Sequence, residues 1–157
     1  MLSDPTLENI SDRVETDRHG YLVMSPPPTF DHGNFQSEIS YLLRTLLAEG
    51  RTVTECPVST LEGVKAIDVA WISHTRLAEI GPEACLPAAP EICVEVLSPA
   101  NSRAKMAEKK ALYFAAGAKE VWFCDKKGGM TFFLDSKSEG AKTSAFCPAF
   151  PRKVELQ

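Results

Sequence analysis

At 157 residues the chain has the size of one domain and is long enough to bury a substantial core. Its composition, 44% apolar and 24% charged, is that of a folded globular protein and excludes the disordered class. A formal net charge of −4 argues against coating nucleic acid by charge alone, yet it permits an enzyme that meets a polyanion through a local basic face and a bound cation.

No apolar run approaches the roughly 20 residues that span a bilayer. The opening "MLSDPTLENISDRVETD" is acidic and polar, unlike a secretory signal, so a cytoplasmic protein with no membrane partner is expected. The five cysteines (56, 85, 93, 124 and 147) are odd in number and form no C-x-x-C pair, which reads as reduced structural thiols. His19, His32 and His74 stand alone, so no zinc cluster is expected.

Taken in chain order, "HGYLVMSPPP" predicts a short strand over residues 20–25, stopped by three prolines. In "TFDHGNFQSEISYLLRTLLAEG", Phe35, Ile39, Leu42, Leu43 and Leu46 fall at helical spacing, with Thr29 or Asp31 as cap and Gly50 as stop. "RTVTECPVST" (51–60) predicts a β-branched strand, "EGVK" a hairpin turn, and "AIDVAWI" the return strand. A loop then runs from Ser73 to Pro90, with a short helix near Thr75 to Ile80. The next strand spans 92–97 in "EICVEVLSP". "NSRAKMAEKKALYFAAG" predicts a second long helix, capped by Asn101 or Ser102 and stopped by Gly117. "KEVWFCD" and "MTFFLD" form a hairpin around "KKGG", and the tail "AFCPAFPRKVELQ" reads as one more edge element. The alternation predicts an α/β (α+β) fold with a mixed sheet flanked by the two long helices, in a single domain over residues 1–157.

Two core strands each carry an acid: Asp68 amid Ala66, Ile67, Val69, Ala70 and Trp71, and Glu95 amid Ile92, Cys93, Val94, Val96 and Leu97. Strand alternation puts Asp68 on the face of Ala66, Ala70 and Ile72, and Glu95 on that of Cys93 and Leu97. A buried carboxylate is neutralised, paired with a cation or bound to a metal. On the second long helix, Met106, Lys109, Leu112, Tyr113 and Ala116 make one stripe, so Lys109 either snorkels to solvent or reaches these acids. Either acid alone fits a structural ion pair equally well, and Lys109 alone reads as a snorkelling surface lysine. Together, in this order, they form a candidate catalytic set.

The strings "GYLVMSPPPTFDHGNFQSEISYLL", "IDVAWIS", "EICVEVLSPANS", "EKKALYFAAGAKEVWFCD" and "FCPAF" resemble, in order, the Uma family of putative restriction endonucleases, a bacterial branch of the PD-(D/E)xK nuclease superfamily. The resemblance covers nearly the whole chain from about residue 13. It implies a restriction-endonuclease-like fold, with acids on neighbouring strands binding Mg²⁺ (Mn²⁺ as a substitute), and DNA as the partner of a homodimer. Carried over residue by residue, Asp68 and Glu95 are the implied metal ligands, joined by the Val96 backbone carbonyl. Leu97 stands at the motif's lysine position, and the resemblance passes that role to Lys109. His32 matches a histidine typical of the segment after the proline run, with phosphate contact or proton transfer as its implied role; read by itself it is a helix-start residue in a turn. Glu15 matches an acid before the first hairpin, though the residue alone reads as a solvated acid. Two departures stand out: Ile67 replaces the usual proline before the aspartate, and Lys105 replaces an acid one turn before Lys109.

The implied activity is metal-dependent hydrolysis of DNA phosphodiester bonds. The alternatives are a nuclease-fold protein without cleavage, acting as a nucleic-acid-binding or protein-interaction module, and a purely structural ion pair. A closed, dry contact between Asp68 and Lys109 would favour the last of these.

Overall fold

The computed structural model describes residues 13–81 and 83–156. Ten elements follow one another: β1 (Arg13–Thr16), β2 (Leu22–Ser25), α1 (Phe30–Leu46), β3 (Gly50–Thr60), β4 (Gly63–Ser73), α2 (His74–Ile80), β5 (Ile92–Val96), α3 (Arg103–Ala115), β6 (Glu120–Cys124) and β7 (Met130–Phe133). Strands β3 to β7 form a five-stranded sheet in sequence order, and β1 and β2 form a separate antiparallel pair. Among the strand pairs of the described residues β5 and β6 alone run parallel, and α3 supplies the crossover that a parallel pair requires.

Helices pack on both faces of the large sheet. Phe35, Ile39 and Leu43 of α1 share one core with Trp71, Val94, Trp122 and Phe132, closed by Cys147, Phe150 and Val154 of the tail. Tyr113 of α3 shares the other with Cys56, Val58, Ala70, Ile72, Cys93 and Val121. The fold class therefore matches the expectation. So do the thiols: all five cysteines are free and four are buried.

The caps resolve the choices left open by the sequence. Thr29 accepts from the His32 N–H and Ser102 from the Lys105 N–H, so these two are the N-caps of α1 and α3. Gly117, at φ 108°, follows the last turn of α3 as expected. Gly50 instead opens β3, where a Cβ would strike the Ile72 carbonyl and the Trp71 ring. The tail adds no strand. It meets β7 through an isolated bridge between Gly129 and Lys153, because Pro148 and Pro151 lack the N–H groups a ladder needs. Trp122 and Phe132 of the β6–β7 hairpin are fully buried and fill the core, whereas Phe123 and Phe133 are half-buried.

Candidate active site

A cleft of about 570 Å³ opens between the β1–β2 hairpin, the proline run, the start of α1, the ends of β4 and β5, and α3. Its lining includes Glu15, His32, Asp68, Glu95, Val96 and Lys109, so the structure brings together every site residue expected from the sequence.

The acids are placed by sheet register. Val69 pairs with Val94 and Ala70 with Cys93, and continuing this antiparallel ladder by one step sets Asp68 opposite Glu95. On the other side, the pairs Thr54–Val69 and Cys56–Ile67 bracket Glu55 opposite Asp68. Three acidic residues thus occupy neighbouring register positions on β3, β4 and β5. Strict alternation fails here: Ile67 packs with Ala70 and Ile72, whereas Val69 and Trp71 belong to the opposite core. Glu55 sits at the same irregularity with φ 49°, the positive-φ residue other than glycine among those described.

Asp68 is almost wholly enclosed, and its Oδ2 accepts the Val96 N–H at 2.8 Å. Val96 thus engages the site through its amide as well as lying in the cleft. Asp68 Oδ1 is 3.4 Å from His32 Nε2, an imidazole nitrogen that is buried without a hydrogen bond. Glu95 Oε1 accepts from the Tyr113 hydroxyl at 2.5 Å, and its Oε2 lies 3.6 Å from Lys109 Nζ. Lys109 also reaches Glu15 Oε1 at 3.4 Å, and with its side chain 20% exposed it faces the cleft rather than snorkelling away from it. Burial, then the negative charge and hydrogen bonding of Glu95, push the Tyr113 phenol well above its ordinary range, so it remains a donor.

Four further placements were missed or misread from sequence. Glu15 is not solvated: its Oε1 accepts the Ala66 N–H at 3.1 Å, pinning β1 to β4 beside Lys109. Tyr113 lies one turn after Lys109, a spacing that was legible, but its apolar stripe made it read as core. Gln36, one turn after His32 on α1, donates to the Asp68 carbonyl at 2.7 Å and to Glu55 Oε1 at 3.0 Å. Glu55 gave no signal, because a left-handed residue within a β-branched strand has no sequence signature.

Lys105 is exposed at the cleft rim, and among the described residues Lys109 pairs with Glu15 and Glu95. The donor set suits a divalent cation: carboxylate oxygens of the hard-ligand type, next to one buried imidazole nitrogen aimed at them. The ligand atoms of His32, Glu55 and Asp68 lie within 4.8 Å of one another.

The five-stranded mixed sheet with helices on both faces is a restriction-endonuclease-like fold. It is shared with the crystal structure of a putative nuclease belonging to DUF820 from Anabaena variabilis, at a TM-score of 0.73 and 17% identity over 90% of this chain and 87% of that one. Residues 5–149 match Uma2, described as a putative restriction endonuclease, and the chain belongs to that family. No curated protein matches the chain. Among the described residues, no helix is long and apolar enough to cross a membrane.

Proposed function

We propose that this protein is a metal-dependent endonuclease that hydrolyses DNA phosphodiester bonds. The observation that supports the reading is the placement of Asp68 and Glu95 at neighbouring register positions on adjacent strands that line one open cleft, with Lys109 3.6 Å from Glu95. Asp68, Glu95 and the Val96 carbonyl would hold Mg²⁺, with Mn²⁺ as a substitute. When bound, the cation supplies Lewis-acid activation of water and neutralises charge on the scissile phosphate.

The protein groups do the rest. The Tyr113 hydroxyl fixes Glu95 Oε1, which leaves Oε2 turned to Lys109 and the cleft. Glu15 and Glu95 between them hold the Lys109 ammonium, which donates to the attacking water and to the phosphate oxygen that gains charge. Exposed Lys105 and the half-buried Lys65 line the same cleft and supply phosphate contacts. His32 is enclosed against Asp68, which suits it to act on that carboxylate or on what it holds. Cutting both strands of a duplex needs two sites, so a cytoplasmic homodimer belongs to this reading.

The test is a supercoiled-plasmid assay with Mg²⁺ or Mn²⁺, run beside calorimetry of cation binding. Nicking or linearisation is expected from the wild type, with a loss of about 10²–10⁴-fold in Lys109→Met and no cleavage by Asp68→Asn or Glu95→Gln. A wild type that binds cation and DNA but cuts neither DNA nor RNA would establish the non-cleaving module instead.

A further inference from the structure

We propose a second cation position, built by His32, Glu55 and Asp68, that takes a later transition-metal dication of the Co²⁺ type in preference to Mg²⁺. It rests on the proposed function only through Asp68, which it shares with the Asp68–Glu95 position.

The first support is geometric. One ligand atom from each of the three residues falls within 4.8 Å of the others, a separation that a single ion can bridge. The second is independent of the acids. His32 is only 8% exposed, its Nε2 makes no hydrogen bond, and that nitrogen points into the group at 3.4 Å from Asp68 Oδ1. A buried polar atom left in this condition is costly, and a metal ion relieves it.

The surrounding contacts aim the ligands. The Val96 N–H occupies Asp68 Oδ2, so the two oxygens of one carboxylate address different neighbours, β5 on one side and α1 on the other. Gln36 holds Glu55 Oε1 at 3.0 Å and the Asp68 main chain at 2.7 Å, an outer clasp of the kind that orients metal ligands. Glu55 adopts φ 49° at this point. The imidazole sets the metal class: nitrogen ligands favour the later transition-metal dications such as Co²⁺, whereas Mg²⁺ selects oxygen.

The experiment titrates tag-free protein with Co²⁺, read by visible absorption, and with Mg²⁺, read by calorimetry. Wild type is expected to develop Co²⁺ ligand-field bands. His32→Ala and Glu55→Gln should each weaken Co²⁺ binding by roughly tenfold or more while leaving Mg²⁺ binding intact. Glu95→Gln should do the reverse. Glu55 is exposed, and Gln there keeps an oxygen for Gln36, so this variant folds even if His32→Ala does not. Unchanged Co²⁺ affinity and spectrum in both His32→Ala and Glu55→Gln would overturn the proposal. Because the readout is binding, an absence of DNA cleavage would count against the nuclease reading and leave this result standing.

Discussion

A carboxylate in a core strand needs donors around it, and the buried acids of this chain are served in two different ways. Glu120 accepts from Trp122 Nε1, the Ser144 hydroxyl and the amides of Ala145 and Phe146 at 2.6–2.9 Å, so neutral donors saturate it. Glu91 binds both the amide and the hydroxyl of Ser73 at the start of α2. These two acids are structural. Glu120→Gln turns an amide NH₂ toward donors, and we expect it to cost about 1–3 kcal/mol in urea denaturation while leaving divalent-cation affinity unchanged. Glu95→Gln is expected to do the opposite in the cation titration. Tyr113 gives a second prediction. Its folded-state proton is held more tightly than in the unfolded chain, so this contribution to stability is full below about pH 10 and falls as pH rises toward the folded-state value. Tyr113→Phe should lower stability at pH 7 by about 1.5–3 kcal/mol, the range for a hydrogen bond to a charged group. It should also flatten the alkaline decline measured by denaturation between pH 9 and 11.

Among the elements, α1 and α3 were legible because each carries a strong apolar period and a cap, and each delivers site residues one turn apart: His32 with Gln36, Lys109 with Tyr113. Strand β1 was not legible: four residues with one acid among them, "RVET", lack the length for a periodic signal. Its placement comes from long-range contacts, in which Thr16 Oγ1 accepts the Val64 N–H at 2.8 Å and Glu15 the Ala66 N–H. Gly63 makes that docking possible. It sits at φ 94°, and a Cβ there would run into the carbonyls of Thr16 and Asp17. Gly63→Ala is therefore expected to cost more than about 1 kcal/mol and to speed amide exchange in β1 and β2 ahead of the central strands, as read by hydrogen–deuterium exchange.

For the molecule as a whole, the two acids that interrupt core strands were visible in the sequence, and so was Lys109, which pairs with Glu95. What stayed hidden depended on register. That Glu55 lies beside Asp68 follows from a β3–β4 ladder whose alignment is fixed only by the turn at Gly63. That Glu91 and Glu120 are structural follows from donors supplied by Ser73 and by the loop at residues 144–146, which no spacing rule connects to them.

The cleft is also a matter of timing. The contact between Glu15 and Lys109 joins positions 94 residues apart, and the hairpin around residues 13–25 meets its partner strand some fifty residues on. Contacts this distant in sequence form late in folding, after the local helices and the β3–β4 hairpin. A chain leaving the ribosome holds neither Lys109 nor the wall that α3 provides until the residues through Ala115 have emerged. The core strands β3 and β4 can begin to pair without them, but the cleft becomes whole only after α3 has been made.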